Sequence, residues 1–226
     1  MRDEENKSNL EKIFSSSKNV ELVSCTPGAE EVIVYCARVS NPSNQLNFDN
    51  AEKLISYLIR HKHWSPFEMA SITMQIKTSR GIAPQILRHR SFTFQEFSQR
   101  YASVDESGLV LNVARRQDQK NRQNSVDDLP QAIKEEWLRR QQENWRRSFE
   151  DYKWALDHDI AKECARFILP LGAATTMYMS GTIRSWIHYI ELRSANGTQK
   201  EHMDIAEECK AIFKAQLPSI AKALNW

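Results

Sequence analysis

The chain has 226 residues, 41% hydrophobic and 27% charged, with a formal net charge of +2. That balance fits a folded chain with a sizeable core; it excludes a disordered protein and one whose overall charge would draw nucleic acid to it. No apolar run reaches the roughly 18 residues of a membrane span, and the opening MRDEENKSNL lacks a leader's apolar segment. The expectation is a cytoplasmic protein, or one of a host's cytoplasm if the source is a virus. Cys25, Cys36, Cys164 and Cys209 form no CxxC or CxxH pair, so no metal site is expected and they read as small buried thiols.

Residues 1–19 are polar and read as a loosely packed arm of a single domain spanning 1–226. VELVSC (20–25) predicts a short strand closed by Pro27 and Gly28. A helix follows over 30–40, with Val32, Cys36 and Val39 on one face, and another over 48–64, capped by Asp49 and striped by Leu54, Leu58 and Ile59. Residues 69–77 alternate as a half-buried strand. Residues 82–90 predict a short helix with Pro84 in its first turn, and 91–129 a loop-rich stretch. The apolar periodicity of 131–157 predicts a long helix, whose Trp137, Trp145 and Trp154 suit core or subunit packing. A helix over 159–168, a strand over 174–180, and helices over 182–193 and 201–217 complete an α+β pattern.

The segment RHRSFTFQEFSQRY (88–101) gathers three arginines and a histidine with one acid, Glu96. Arginine forks suit phosphate or carboxylate oxygens, and clustered like charges are costly unless an anion compensates them. Ser98 and Arg100 would serve a phosphate dianion. Arg88 and Arg90 would serve a pyrophosphate or the oxygens of a heterocycle. A solvated basic face paired with Glu96 is the plainer alternative. Phe92, Phe94 and Phe97 between the cations also suit single-stranded nucleic acid, as does the basic stretch at 114–124, with four cations against one anion. No GxGxxG, GxxxxGK[ST] or GxSxG motif is present.

RHR, seven residues, then S-x-R resembles the signature of the flavin-dependent thymidylate synthases, with Arg88, His89, Arg90, Ser98 and Arg100 in register. ARVS (37–40), HKHWSPFE (61–68), ARFILP (165–170) and RSWIHYIELR (184–193) resemble the family's other blocks, in the same order. The resemblance implies an antiparallel sheet packed with several helices, in a homotetramer with active sites at subunit interfaces. It implies FAD as cofactor and NADPH and 5,10-methylenetetrahydrofolate as co-substrates. The reaction would be reductive methylation of dUMP to dTMP with release of tetrahydrofolate, and no nucleic-acid or membrane partner. By similarity Ser40, His63, Ser65, Arg88, His89, Arg90, Glu96, Thr182, Arg184 and His188 hold FAD. Gln85, Arg88, Glu96, Ser98, Gln99, Arg100, Arg166 and Arg193 hold dUMP, the Glu96–Arg100 stretch coming from a neighbouring subunit, and Arg193 acts on the uracil. Gln95 and Thr182 stand where the family often has Asn, and His188 where some members have it.

Overall fold

The computed structural model describes residues 19–105 and 108–226, so the predicted arm lies almost wholly outside the described residues. Four strands make an antiparallel sheet in the order β1 (Val20–Cys25), β2 (Ser71–Ser79), β6 (Ala174–Thr182), β3 (Thr93–Glu96). β2 and β6 pair without interruption from Ser71↔Thr182 to Ser79↔Ala174, and β1 meets β2 with a register shift between Leu22 and Ser24. A second, two-stranded ribbon joins β4 (Arg116–Gln117) to β5 (Ser125–Val126).

Alternation along the central strands decides which face is covered. Ile72, Met74, Ile76, Met177 and Met179 are wholly buried, while Thr73, Thr176, Tyr178 and Ser180 between them remain partly open. Helices α1 (Ala29–Ala37), α2 (Ala51–Arg60), α6 (Ile183–Arg193), α7 (Lys200–Gln216) and α8 (Pro218–Ala223) supply the other half of this core through Ile33, Ile55, Trp186, Tyr189, Phe213 and Ile220. The buried Trp186 indole N–H donates to the Ile72 carbonyl at 2.9 Å and pins α6 to β2. A smaller cluster forms where α4 (Gln131–Asp157) sets Trp145, Phe149, Tyr152 and Ala155 against Val104, Ala165 and Ala173. The Val104 amide donates to the Tyr152 hydroxyl at 3.1 Å. The rest of α4, a helix about 40 Å long in all, carries ion pairs such as Glu136 with Arg139 and Arg140, and Glu143 with Arg146 and Arg147.

Several expected boundaries move. α1 starts early, at a Gly28 in a left-handed conformation (φ 59°), turns Ala29, Ile33 and Val34 inward, one position away from the expected face, and ends at Ala37, so that Val39 lies beyond it and is exposed. Asn50, not Asp49, stands at the N-cap of α2, and the Asp49 amide instead donates to Asn47 Oδ1. α2 stops at Arg60 because Lys62 takes φ 57° and Pro66 opens a 3₁₀ turn at Ser65–Glu68. The helix expected over 82–90 shrinks to α3 (Ala83–Ile86), and that over 159–168 to α5 (Lys162–Ala165) with a 3₁₀ turn at Arg166–Ile168. The stretch read as loop contains β3, a four-residue strand specified by pairing with β6. Cys164 is exposed and Cys36 half-buried, contrary to the expectation for both, whereas Cys209 is buried. Of the three α4 tryptophans only Trp145 is core; Trp137 and Trp154 are exposed.

Candidate active site

The polypeptide turns from β6 directly into α6 at Thr182. Its hydroxyl caps the helix by accepting the Ser185 amide at 3.2 Å, and Ser185 Oγ donates to the Ser91 carbonyl, tying α6 to the segment after the RHR triplet. α6 buries Ile183, Trp186, Tyr189 and Ile190 and leaves Arg184 and His188 outside. Arg193 falls in its last turn, where the helix dipole favours a cation. The chain then bends through Gly197 (φ 96°), a conformation that favours glycine, and returns as α7.

This bend faces the short helix α3. Gln85 Nε2 donates to Gln199 Oε1 at 2.7 Å, and between them opens a cleft of about 470 Å³ bounded by Arg88, Arg193, Thr198 and Gln123. Among the described residues, two guanidiniums and no carboxylate line it. The Arg193 Nε–H donates to His89 Nε2 at 2.9 Å. Burial first, then Arg193 and His188, push the His89 pKa down to about 4. Behind His89, the Tyr189 ring stands edge-on at 4.8 Å, and the Tyr189 hydroxyl meets His202 Nε2 at 3.1 Å. His202 is wholly buried, and its pKa is pushed down to about 3 by burial, then by Arg193 and His89. Arg193 therefore carries the charge of this cluster at neutral pH.

A second cleft, about 480 Å³, lies along the open sheet face between β3 and β6, where Glu96, Ser98, Tyr101, Thr176 and Tyr178 border it. It shares no lining residue with the first. Arg80 fixes its floor. One terminal nitrogen donates to Glu96 Oε1 and the other to the Phe97 carbonyl, both at 2.8 Å, while Thr175 Oγ1 donates to the same Glu96 oxygen at 2.9 Å. Gln99 is buried and its Nε2 has no partner among the described residues. Arg100 reaches Glu163 at 3.1 Å on the exposed surface, and Arg166 Nε donates to the Glu163 carbonyl at 3.3 Å.

The candidate residues thus fall into groups. Gln85, Arg88, His89 and Arg193 share the first cleft or its wall, with His188 close enough to act on His89. Glu96, Ser98 and Gln99 belong to the β3 end, with Arg100 and Arg166 meeting at Glu163. Arg184 pairs with Glu68 at 2.7 Å, one 3₁₀ turn away from the exposed His63 and Ser65. Ser40 and Arg90 are exposed and border neither cleft. Arg80, Gln123, Tyr178, Thr198 and Gln199 had not been singled out. The turn-forming SANGTQ run directly after Arg193 could have pointed to Thr198 and Gln199.

A sequence profile described as "Thymidylate synthase complementing protein" (Thy1) matches residues 21–219. The chain belongs to that family. It is 62% identical over 198 residues to a "Probable flavin-dependent thymidylate synthase" of Paramecium bursaria Chlorella virus 1, covering 88% of this chain and 91% of that protein. It is 52% identical to the flavin-dependent thymidylate synthase of Synechocystis sp., covering 87% and 90%. Among solved structures, the UMP/dUMP methylase PolB of Streptomyces cacaoi with 5-Br dUMP superposes with a TM-score of 0.82 at 26% identity, covering 91% of this chain and 93% of that one. The family's α+β fold is the one found here, with its antiparallel sheet and helical cover.

Proposed function

We propose that this chain is a flavin-dependent thymidylate synthase, converting dUMP to dTMP with 5,10-methylenetetrahydrofolate as carbon donor and NADPH as reductant. The observation that carries the reading is the cleft on which Arg88 and Arg193 converge, with no carboxylate lining it among the described residues, in a chain 62% identical to a relative described by that activity. The cleft suits an anionic heterocycle. Its guanidiniums donate to anionic oxygens, and the Gln85 and Gln199 amides offer both donors and acceptors to ring edges. These residues fit FAD, and Arg88 and His89 would hold it. When bound, FAD supplies the reducing electrons that turn the transferred methylene into a methyl group.

The remaining work falls to the chain's own groups. Arg193 would donate to the uracil carbonyl edge and stabilise negative charge as the ring carbon becomes nucleophilic; loss of such a donor costs about 3 kcal/mol, roughly a hundredfold in rate. Neither cleft is lined by a cysteine that could add to the ring instead. Ser98, Gln99 and Arg100 are read as the sugar and phosphate contacts, with Arg166 beside Arg100. Ser98 borders a different cleft from Arg193 within one chain, which supports a site completed by a second copy, as in a homotetramer. Tyr101, Phe167 and Leu171, all more than 70% exposed, suit such an interface. In the remaining FAD set, Ser40, His63, Ser65, Arg90, Glu96, Thr182, Arg184 and His188 would contact the cofactor in the assembled enzyme.

The rival reading as a single-stranded nucleic-acid binder is weakened by the pairing of its cations and the burial of one of its aromatics. Arg100 is engaged by Glu163, Arg115 by Glu201 and Arg116 by Asp128, and Phe92 is core. The test is spectroscopic. The purified protein takes up FAD and is yellow, and NADPH bleaches it in the presence of dUMP. Protein that binds no FAD contradicts the proposal.

A further inference from the structure

We propose that His89 is a positioning residue for Arg193: its Nε2 lone pair accepts the Arg193 Nε–H and so fixes the guanidinium with its two terminal nitrogens free for the substrate. The inference rests on the functional reading above in assigning dUMP as what those nitrogens meet. The donor direction follows from the chemistry of the pair. Arginine has no lone pair to offer, so a nitrogen 2.9 Å from its Nε must be the acceptor. His89 Nε2 is therefore unprotonated, and the imidazole hydrogen sits on Nδ1. Among the described residues, no hydrogen bond engages the terminal nitrogens of Arg193, which borders the cleft.

The imidazole can act as a stop because it is itself held. Tyr189 stands edge-on to it at 4.8 Å and Phe92 at 6.5 Å, and both rings are buried. The Tyr189 hydroxyl is tethered in turn to the buried His202. Arg193 is thus braced from α3's exit, from its own helix and from α7. A long side chain at a helix end ordinarily samples many rotamers, and restricting it in advance removes an ordering cost from ligand binding. The arrangement also accounts for an uncharged acceptor between Arg88 and Arg90. A third cation there would repel Arg193, and an apolar side chain would leave its Nε–H unpaired.

The test combines a tautomer measurement with a thermodynamic cycle, both on the assembled, FAD-loaded protein. With ¹⁵N-labelled histidine at pH 7, the signal lost in His89→Gln reports the Nδ1–H tautomer; a hydrogen on Nε2 overturns the proposal. In dUMP titrations, His89→Leu weakens binding about tenfold to a hundredfold, the range for a hydrogen bond to a charged group. His89→Gln, which restores an acceptor, recovers most of that loss. In the Arg193→Ala background, His89→Leu costs nothing further, because its effect runs through the arginine. Losses that multiply in the double variant, or a His89→Leu protein that binds dUMP as the parent does, overturn the proposal. Should the parent protein bind no dUMP, the functional reading falls, and the tautomer alone decides whether His89 accepts from Arg193.

Discussion

Gly181 and Phe92 meet at the junction between sheet and site, and Gly181→Ala tests that packing quantitatively. A Cβ at position 181 would lie 2.4 and 2.6 Å from two carbons of the Phe92 ring, against the roughly 3.5–4.0 Å of an unstrained carbon contact. The ring has little room to retreat, since Trp186 stands at 4.9 Å, Tyr189 at 5.9 Å and His89 at 6.5 Å. Overpacking of this kind costs about 1–3 kcal/mol, here toward the upper end, while the lost flexibility of glycine in the unfolded chain returns about 0.4–1 kcal/mol. The net expectation is a loss of about 2 kcal/mol, or about 4–8 °C in Tm for a chain of this size. Urea and thermal unfolding at fixed protein and FAD concentrations measure it. Adding Phe92→Leu should recover part of the loss. A Gly181→Ala protein as stable as its parent would refute the packing described for this junction.

Further outcomes follow from the same geometry. Arg193→Ala should fold and assemble while kcat/KM for dTMP formation falls about a hundredfold; parental turnover would remove Arg193 from the chemistry. Thr182→Val should cost about 1 kcal/mol by leaving the Ser185 amide uncapped, whereas Thr182→Asn, with a stronger capping side chain, should cost little. Arg80→Ala should destabilise by about 2 kcal/mol by releasing Glu96 and the Phe97 carbonyl, and should weaken dUMP binding if the β3 end completes a neighbour's site. His89 and His202 titrate below the usual histidine value of 6.5, at about 4 and about 3. As pH falls from about 6.5 toward 4, the unfolded chain takes up protons that the folded one refuses, so stability should decline through that window. Urea midpoints across pH 4–7 would show it, with a shallower slope in His89→Gln.

Where periodicity ran long, the sequence was an accurate guide. The helix expected over 131–157 matches α4, and the alternation through Ile72, Met74 and Ile76 marks the buried face of β2. Short elements escaped because tertiary pairing specifies them: TFQE becomes β3 only by lying against Met177–Ser180 of β6. Helix ends were misplaced where a backbone feature outweighed the apolar pattern, as at Gly28 and Lys62. In the site, residue chemistry singled out the arginines but not their partners. Nothing in the local pattern joins His89 to Arg193 or Gln85 to Gln199, contacts that exist only once α3 and the α6–α7 bend are brought together. Arg80 drew no attention in the sequence, and its grip on Glu96 comes from the way the chain folds back at β3.

The most direct measurement incubates the purified protein with dUMP, FAD, NADPH and 5,10-methylenetetrahydrofolate, and resolves both nucleotide and folate products by chromatography. The account predicts dTMP and tetrahydrofolate in equal amounts, with turnover dependent on FAD and NADPH. Release of dihydrofolate, or no dTMP from a well-folded flavin-loaded assembly, would contradict it.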